Sequence, residues 1–157
     1  MKTPQIAALI AIILSPLVCA GQARATDILA VGGWSATAQI IGTEIVSTYE
    51  SATNATLLTI ADAPGAWSVD VRRTDHLWDP GLVLSLRRTG NGSGGSGGSG
   101  GISGGTRYQE ITPTGASFIQ GARNRFDIPI QMRISGVSVD IPAGTYSTTI
   151  TYTVVDN

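Results

Sequence analysis

Over most of its length this chain places an apolar residue at every second position. "AWSVDVRRT" sets Trp67, Val69 and Val71 against Ser68, Asp70 and Arg72, and "LVLSLRR" sets Leu82, Leu84 and Leu86 against Ser85 and Arg87. "RFDIPIQMRIS" alternates Phe126, Ile128, Ile130, Met132 and Ile134 with Asp127, Pro129, Gln131, Arg133 and Ser135. "YSTTITYTVVD" alternates Tyr146, Thr148, Ile150, Tyr152 and Val154 with Ser147, Thr149, Thr151 and Thr153. Successive side chains of a strand point to opposite faces, so a period of two marks a half-buried strand and does not fit the 3.6-residue repeat of a helix. Weaker candidates are Trp34–Ile41, Glu44–Tyr49, Ala55–Ile60, Thr106–Thr112 and Ala116–Gly121. About eight or nine short strands, punctuated by Gly, Pro, Asn and Asp, predict an all-β fold. The expected architecture is a single antiparallel β-sandwich, Ig-like or pilin-like; a β-barrel is the alternative, because pattern alone does not fix strand order.

The stretch "GNGSGGSGGSGGISGG", Gly90–Gly105, decides the domain count. Read as a linker, it would leave two pieces of about 64 and 52 residues, each with a handful of strands and nothing to cover their apolar faces. Two sheets that each need a partner are better read as halves of one domain, with a flexible Gly/Ser loop at 90–105. A coil of this composition and 16-residue length spans roughly 22 Å, enough for a hairpin or a crossing between sheets. Lengthening such a loop costs little, because closure entropy grows logarithmically. A phosphate loop would lead into a helix, often with a lysine, and calcium-binding glycine repeats carry aspartates. This stretch has neither lysine nor acid. The letters G-x-S-x-G around Ser96, Ser99 and Ser103 follow from the repeat itself, and no helix pattern follows to build a nucleophile elbow.

The opening residues read as an export signal. Lys2 supplies a positive start, Ile6–Leu14 is an unbroken apolar run, Ser15-Pro16 ends it, and Ala23-Arg24-Ala25 places small residues at a cleavage site. The run is too short for a membrane span. Cleavage after Ala25, with Ala20 as the alternative, leaves residues 26–157, a chain of 132 residues with no cysteine and no lysine. Val18 before Cys19 is too bulky for a lipidation site. The remaining eight arginines face 11 acids, a weakly acidic balance that suits neither nucleic acid nor an anionic membrane. No cofactor and no metal site are expected.

Few residues carry chemistry. His76, between Asp75 and Asp79 ahead of Pro80-Gly81, is the sole histidine and is expected in an exposed turn. Triads need a nucleophile, a base and an orienting group in mutual reach, and nothing in the spacing supplies them. Trp67 is assigned to the core. Trp78, after Leu77, is the best candidate for an exposed aromatic, and with Tyr108 it makes a candidate ligand-binding pair, a surface on which a sugar ring can stack. Arg72-Arg73 and Arg87-Arg88 are expected at strand ends, one arginine of each pair joining the polar face near partners such as Asp70.

The segment "IPAGTYSTTITYTV" (Ile141–Val154) resembles the last strand of secreted bacterial β-sandwich subunits, the spore-coat-protein-U-like and fimbrial-subunit domains. A Pro-Ala-Gly-Thr-Tyr turn there leads into alternating threonines and apolar residues. This chain differs from many of them in having no cysteine pair. The resemblance implies a non-enzymatic structural or adhesive subunit, exported to the periplasm, surface or beyond, that associates with itself or with other envelope or appendage proteins. In pilus-type assemblies a partner's strand is added to an open edge. Ile28, Leu29, Ala30 and Val31, ahead of the first strong strand, are then the candidate assembly arm, against an ordinary unstructured terminus. The alternative function is a secreted carbohydrate- or ligand-binding module.

Overall fold

The computed structural model describes residues 7–11, 26–41, 44–94 and 101–157. Among these the chain forms strands and turns and no helix. In chain order the early strands are β1 (Ala7–Ala11), β2 (Asp27–Gly32), β3 (Trp34–Thr37), β4 (Ile40–Ile41), β5 (Glu44–Ile45), β6 (Thr48–Glu50) and β7 (Thr56–Ala61). There follow β8 (Ala66–Leu77), β9 (Val83–Arg88), β10 (Ser93–Gly94), β11 (Ile102–Gly104), β12 (Gln109–Glu110), β13 (Ala116–Ala122), β14 (Arg125–Ser135) and β15 (Thr145–Asp156).

They make two larger sheets and one small hairpin. The first sheet runs β11-β13-β8-β15-β1-β3; the second runs β12-β9-β14-β7-β2, with β6 and β10 also paired to β14; β4 and β5 pair with each other. Neither large sheet closes on itself, so the barrel alternative is not what the chain adopts. All pairings are antiparallel except β1 with β15. The architecture is consistent with the expected sandwich.

The alternating residues supply the core. Trp67, Val69 and Val71 of β8, Phe118 and Ile119 of β13, and Ile150 of β15 come from the first sheet. Leu58 and Ile60 of β7, Leu84 and Leu86 of β9, and Ile128, Ile130, Met132 and Ile134 of β14 come from the second. All belong to one buried cluster, so neither sheet has a core of its own. Burying one such side chain is worth about 1.5–3 kcal/mol. Trp67 anchors the centre, fully buried, with its indole N–H donated to the Arg123 carbonyl at 2.8 Å. Gly121 lets the indole lie flat against the neighbouring strand: a Cβ there would stand 2.4 Å from Trp67 Cζ2.

Three expectations are corrected. Phe126 lies outside the core cluster, because the register of β14 against β7 slips between Arg125 and Ile128, where Asp127 takes a positive φ of 54°. Such a bulge puts one extra residue in the strand and breaks the alternation. His76 is not in the turn but inside β8, which pairs with β15 as far as Leu77. Arg72 and Arg73 therefore sit inside a strand instead of ending one.

The glycine-rich stretch is no plain loop at its flanks. Ser93–Gly94 pairs with β14 of the second sheet and Ile102–Gly104 with β13 of the first, so the chain crosses between sheets here. Residues 95–100, with Ser96 and Ser99, lie outside the described residues; Ser103 lies in β11. Glycine is required at Gly92, where φ is +63° and a Cβ would meet the Phe126 carbonyl oxygen at 2.2 Å.

Candidate functional site

The two aromatic residues singled out for ligand stacking lie on different elements. Trp78 follows the end of β8, half-buried against the core rather than exposed, with its indole N–H donated to the Leu82 carbonyl at 3.0 Å. Its ring carries the Arg73 guanidinium 5.1 Å from the centroid. Tyr108 stands just ahead of β12, with the guanidinium groups of Arg87 and Arg133 4.7 and 4.0 Å from its ring centroid. Arg133 reaches it from β14, where it is paired across the strands with Ser85 of β9 and Glu50 of β6. The Tyr108 hydroxyl is buried without a well-formed hydrogen bond, and burial, together with the approach of the Glu50 carboxylate, holds its pKa above the usual tyrosine range. No hydrogen bond or stacking contact joins Trp78 to Tyr108 among the described residues.

His76 meets the hydroxyl of Thr149 across the strands, Nε2 to Oγ1 at 2.9 Å. Asp75 is engaged elsewhere, accepting from Arg73 at 2.8 Å and from Thr148 at 3.0 Å. That Arg73–Asp75 bridge, not a pair with Asp70, is the salt bridge found among the described residues. Asp79 caps its own turn, accepting from the Gly81 N–H at 2.8 Å. No cluster of three metal-ligating side chains occurs among the described residues.

The candidate arm is a strand. Ile28, Leu29, Ala30 and Val31 lie in β2, paired with Ile60, Thr59, Leu58 and Leu57 of β7. Ala30 joins the core and Ile28 packs against it, while Leu29 and Val31 face outward, 44% and 58% exposed. β2 ends its sheet, so its outer backbone edge is unpaired among the described residues. At the matching place in the other sheet, β1 is inserted between β15 and β3. Ala7–Ala11 runs parallel to Thr145–Thr149, while Ala7–Ile10 runs antiparallel to Trp34–Thr37. β1 falls within the segment read as a cleaved leader.

One buried charge escaped the sequence reading. Arg88 is in phase with Leu82, Leu84 and Leu86, and strand alternation carries it to the buried side, 7% exposed. Nε donates to the Gly104 carbonyl at 3.1 Å, and Nη1 donates to the Gly90 carbonyl at 3.1 Å and to the Asn91 side-chain oxygen. It thereby ties together the two ends of the glycine-rich stretch. Burial pulls its pKa below the ordinary arginine value, but a guanidinium starts so high that it stays charged at neutral pH. The signal that could have found it was its parity with the three leucines.

Comparison with known proteins yields no match: no family model fits the chain, and no curated protein or solved structure is similar to it.

Proposed function

We propose that this chain is an exported, non-enzymatic β-sandwich subunit of an envelope or appendage, which associates with further copies by strand addition. The observation that carries the reading is the place of β1. A five-residue segment lies between β15 and β3, and it belongs to the residues expected to be removed on export. Its loss opens two facing backbone edges, a slot about 17 Å long at strand rise. An open slot in a sheet is a template for another strand, and unpaired edges are costly to leave bare. The segment Ile28–Val31 is the proposed occupant, donated by a neighbouring copy as in a domain swap. It already forms a strand at a sheet edge, and its Leu29 and Val31 are exposed apolar side chains. No helix among the described residues is long and apolar enough to cross a membrane.

The test is made on residues 26–157 by size-exclusion chromatography with light scattering, followed by negative-stain microscopy. Ordered oligomers or filaments are expected, and a synthetic peptide of residues 6–14 added in excess should cap the slot and return monomers. Leu29→Arg with Val31→Arg, at positions that are exposed within one subunit, should abolish the oligomers while leaving the strand spectrum intact. A monomer that persists at high concentration overturns the proposal.

A further inference from the structure

A pocket of about 520 Å³ opens where β9 runs out into the glycine-rich stretch. Its chemistry is one-sided. Arg87 and Arg88 contribute two guanidinium groups, Thr53, Thr89 and Thr106 three hydroxyl groups, and Asn91 an amide; no acid and no aromatic ring lines it among the described residues. The volume falls in the range of small-molecule sites, roughly 300–1,000 Å³.

The charges in this pocket are not balanced from within. All three protein partners of Arg88 are neutral oxygens, and they use Nε and Nη1 only. The Nη2 donors have no protein partner among the described residues. Arg87 is held by Nε to the Gln131 side-chain oxygen at 2.9 Å and by its stack on Tyr108, with no carboxylate bridged to it. A buried cation without a counter-charge is costly, and an oxyanion that accepts charge-assisted hydrogen bonds offsets that cost. The clamp on the glycine-rich stretch explains why Arg88 is fixed in place; it does not use Nη2, nor does it neutralise either arginine. The hydroxyl groups add a second preference. Thr89 Oγ1 already donates to the Thr53 carbonyl at 2.6 Å, so toward the pocket it offers lone pairs that accept from a hydroxylated ligand.

We propose that this pocket binds an acidic saccharide, its carboxylate or sulfate group at Arg88 and Arg87 and its ring hydroxyls on the threonines and Asn91. The proposal stands independently of assembly by strand addition, since the pocket lies at the end of β9 in the other sheet from β1. It also differs from stacking on Trp78 or Tyr108: Tyr108 contributes only by steadying Arg87. Anion recognition, not aromatic stacking, sets the specificity.

The test is a calorimetric titration of the full chain with glucuronate, glucose 6-sulfate, glucose and inorganic sulfate. Binding of glucuronate or glucose 6-sulfate, at least about tenfold tighter than glucose, is expected from one or two charge-assisted hydrogen bonds; the tighter of the two identifies the oxyanion. Affinity should fall as salt rises. Arg88→Met removes the clamp as well as the charge and risks the fold. Arg87→Gln is therefore the working variant, expected to weaken binding about tenfold with an unchanged melting temperature. Thr106→Val, at an exposed position, should weaken the saccharide and leave inorganic sulfate unaffected. Glucose binding as tightly as glucuronate, or no binding of either acidic sugar at millimolar concentration, overturns the proposal. Inorganic sulfate matching both acidic sugars overturns its saccharide part.

Discussion

Tyr152→Phe should make this protein more stable. Tyr152 lies in β15 opposite Val71 of β8 and packs against the core, with its hydroxyl buried and without a hydrogen-bond partner among the described residues. A buried polar group left unpaired costs about 1–3 kcal/mol, while the phenyl ring keeps the packing. A gain of about 1 kcal/mol or more is expected at pH 7, a rise in melting temperature of roughly 3–5 °C for a chain of this size. The same burial pushes the Tyr152 phenol well above the usual tyrosine value. The folded chain therefore keeps this proton at pH values where an unfolded tyrosine, near 10, has lost it. Above pH ~10 the unfolded state binds fewer protons, so stability falls as pH rises, by up to about 1.4 kcal/mol per pH unit for one group. Below that value the contribution is fully present and flat. Tyr108 and Tyr146 are shifted in the same direction and remain in the variant, so its alkaline decline should become shallower rather than vanish. Melts followed by circular dichroism from pH 7 to 11, wild type beside Tyr152→Phe, read both effects. A variant less stable by 1 kcal/mol at pH 7 would show that the hydroxyl has a partner, and identical alkaline slopes would show that the phenol ionises freely in the folded chain.

Gly121→Ala should destabilise by about 1–3 kcal/mol, because the new Cβ enters the Trp67 ring and the fully buried indole has no room to yield; denaturant unfolding followed by tryptophan fluorescence checks it, and an unchanged midpoint would refute the close contact. His76→Ala should change stability by no more than about 0.5 kcal/mol between pH 5 and 8, since the imidazole is exposed and its partner is a neutral threonine hydroxyl; a large loss confined to one side of pH 6.5 would contradict that.

How much of this was legible depends on how loudly each residue was constrained. Trp67, Val69 and Val71, and Leu82, Leu84 and Leu86, sit where alternation puts them, because a strand with one wet face has no other way to bury them. Phe126 obeys the same pattern in letters and leaves it in space: a bulge at Asp127 depends on what β7 offers opposite, and that partner lies far off in the sequence. The far end of β8 was illegible for a related reason. "RTDHL" has no apolar rhythm, and only pairing with β15 makes it a strand. Glycines at 92 and 104 look like every other glycine in a low-complexity run, although their positive φ angles and close backbone contacts leave no alternative. Arg88 was legible by parity and hidden by habit, since arginine at a strand end is usually read as solvated. The pocket joins Thr53, the end of β9 and Thr106, three places that no local pattern connects.

The central position of β15 has a bearing on timing. β8 has β13 on one side and β15 on the other, and the β15 residues that pair with Trp67 and Val69 are Asp156 and Val154. During synthesis, β8 leaves the ribosome with its principal neighbour still some seventy residues away, and the half-made sheet offers it nothing to hold. Closing so long a loop is slow compared with local pairing. The growing chain thus remains extended and threadable until β15 has been made. The topology itself delays folding for as long as an exported chain must pass a narrow opening.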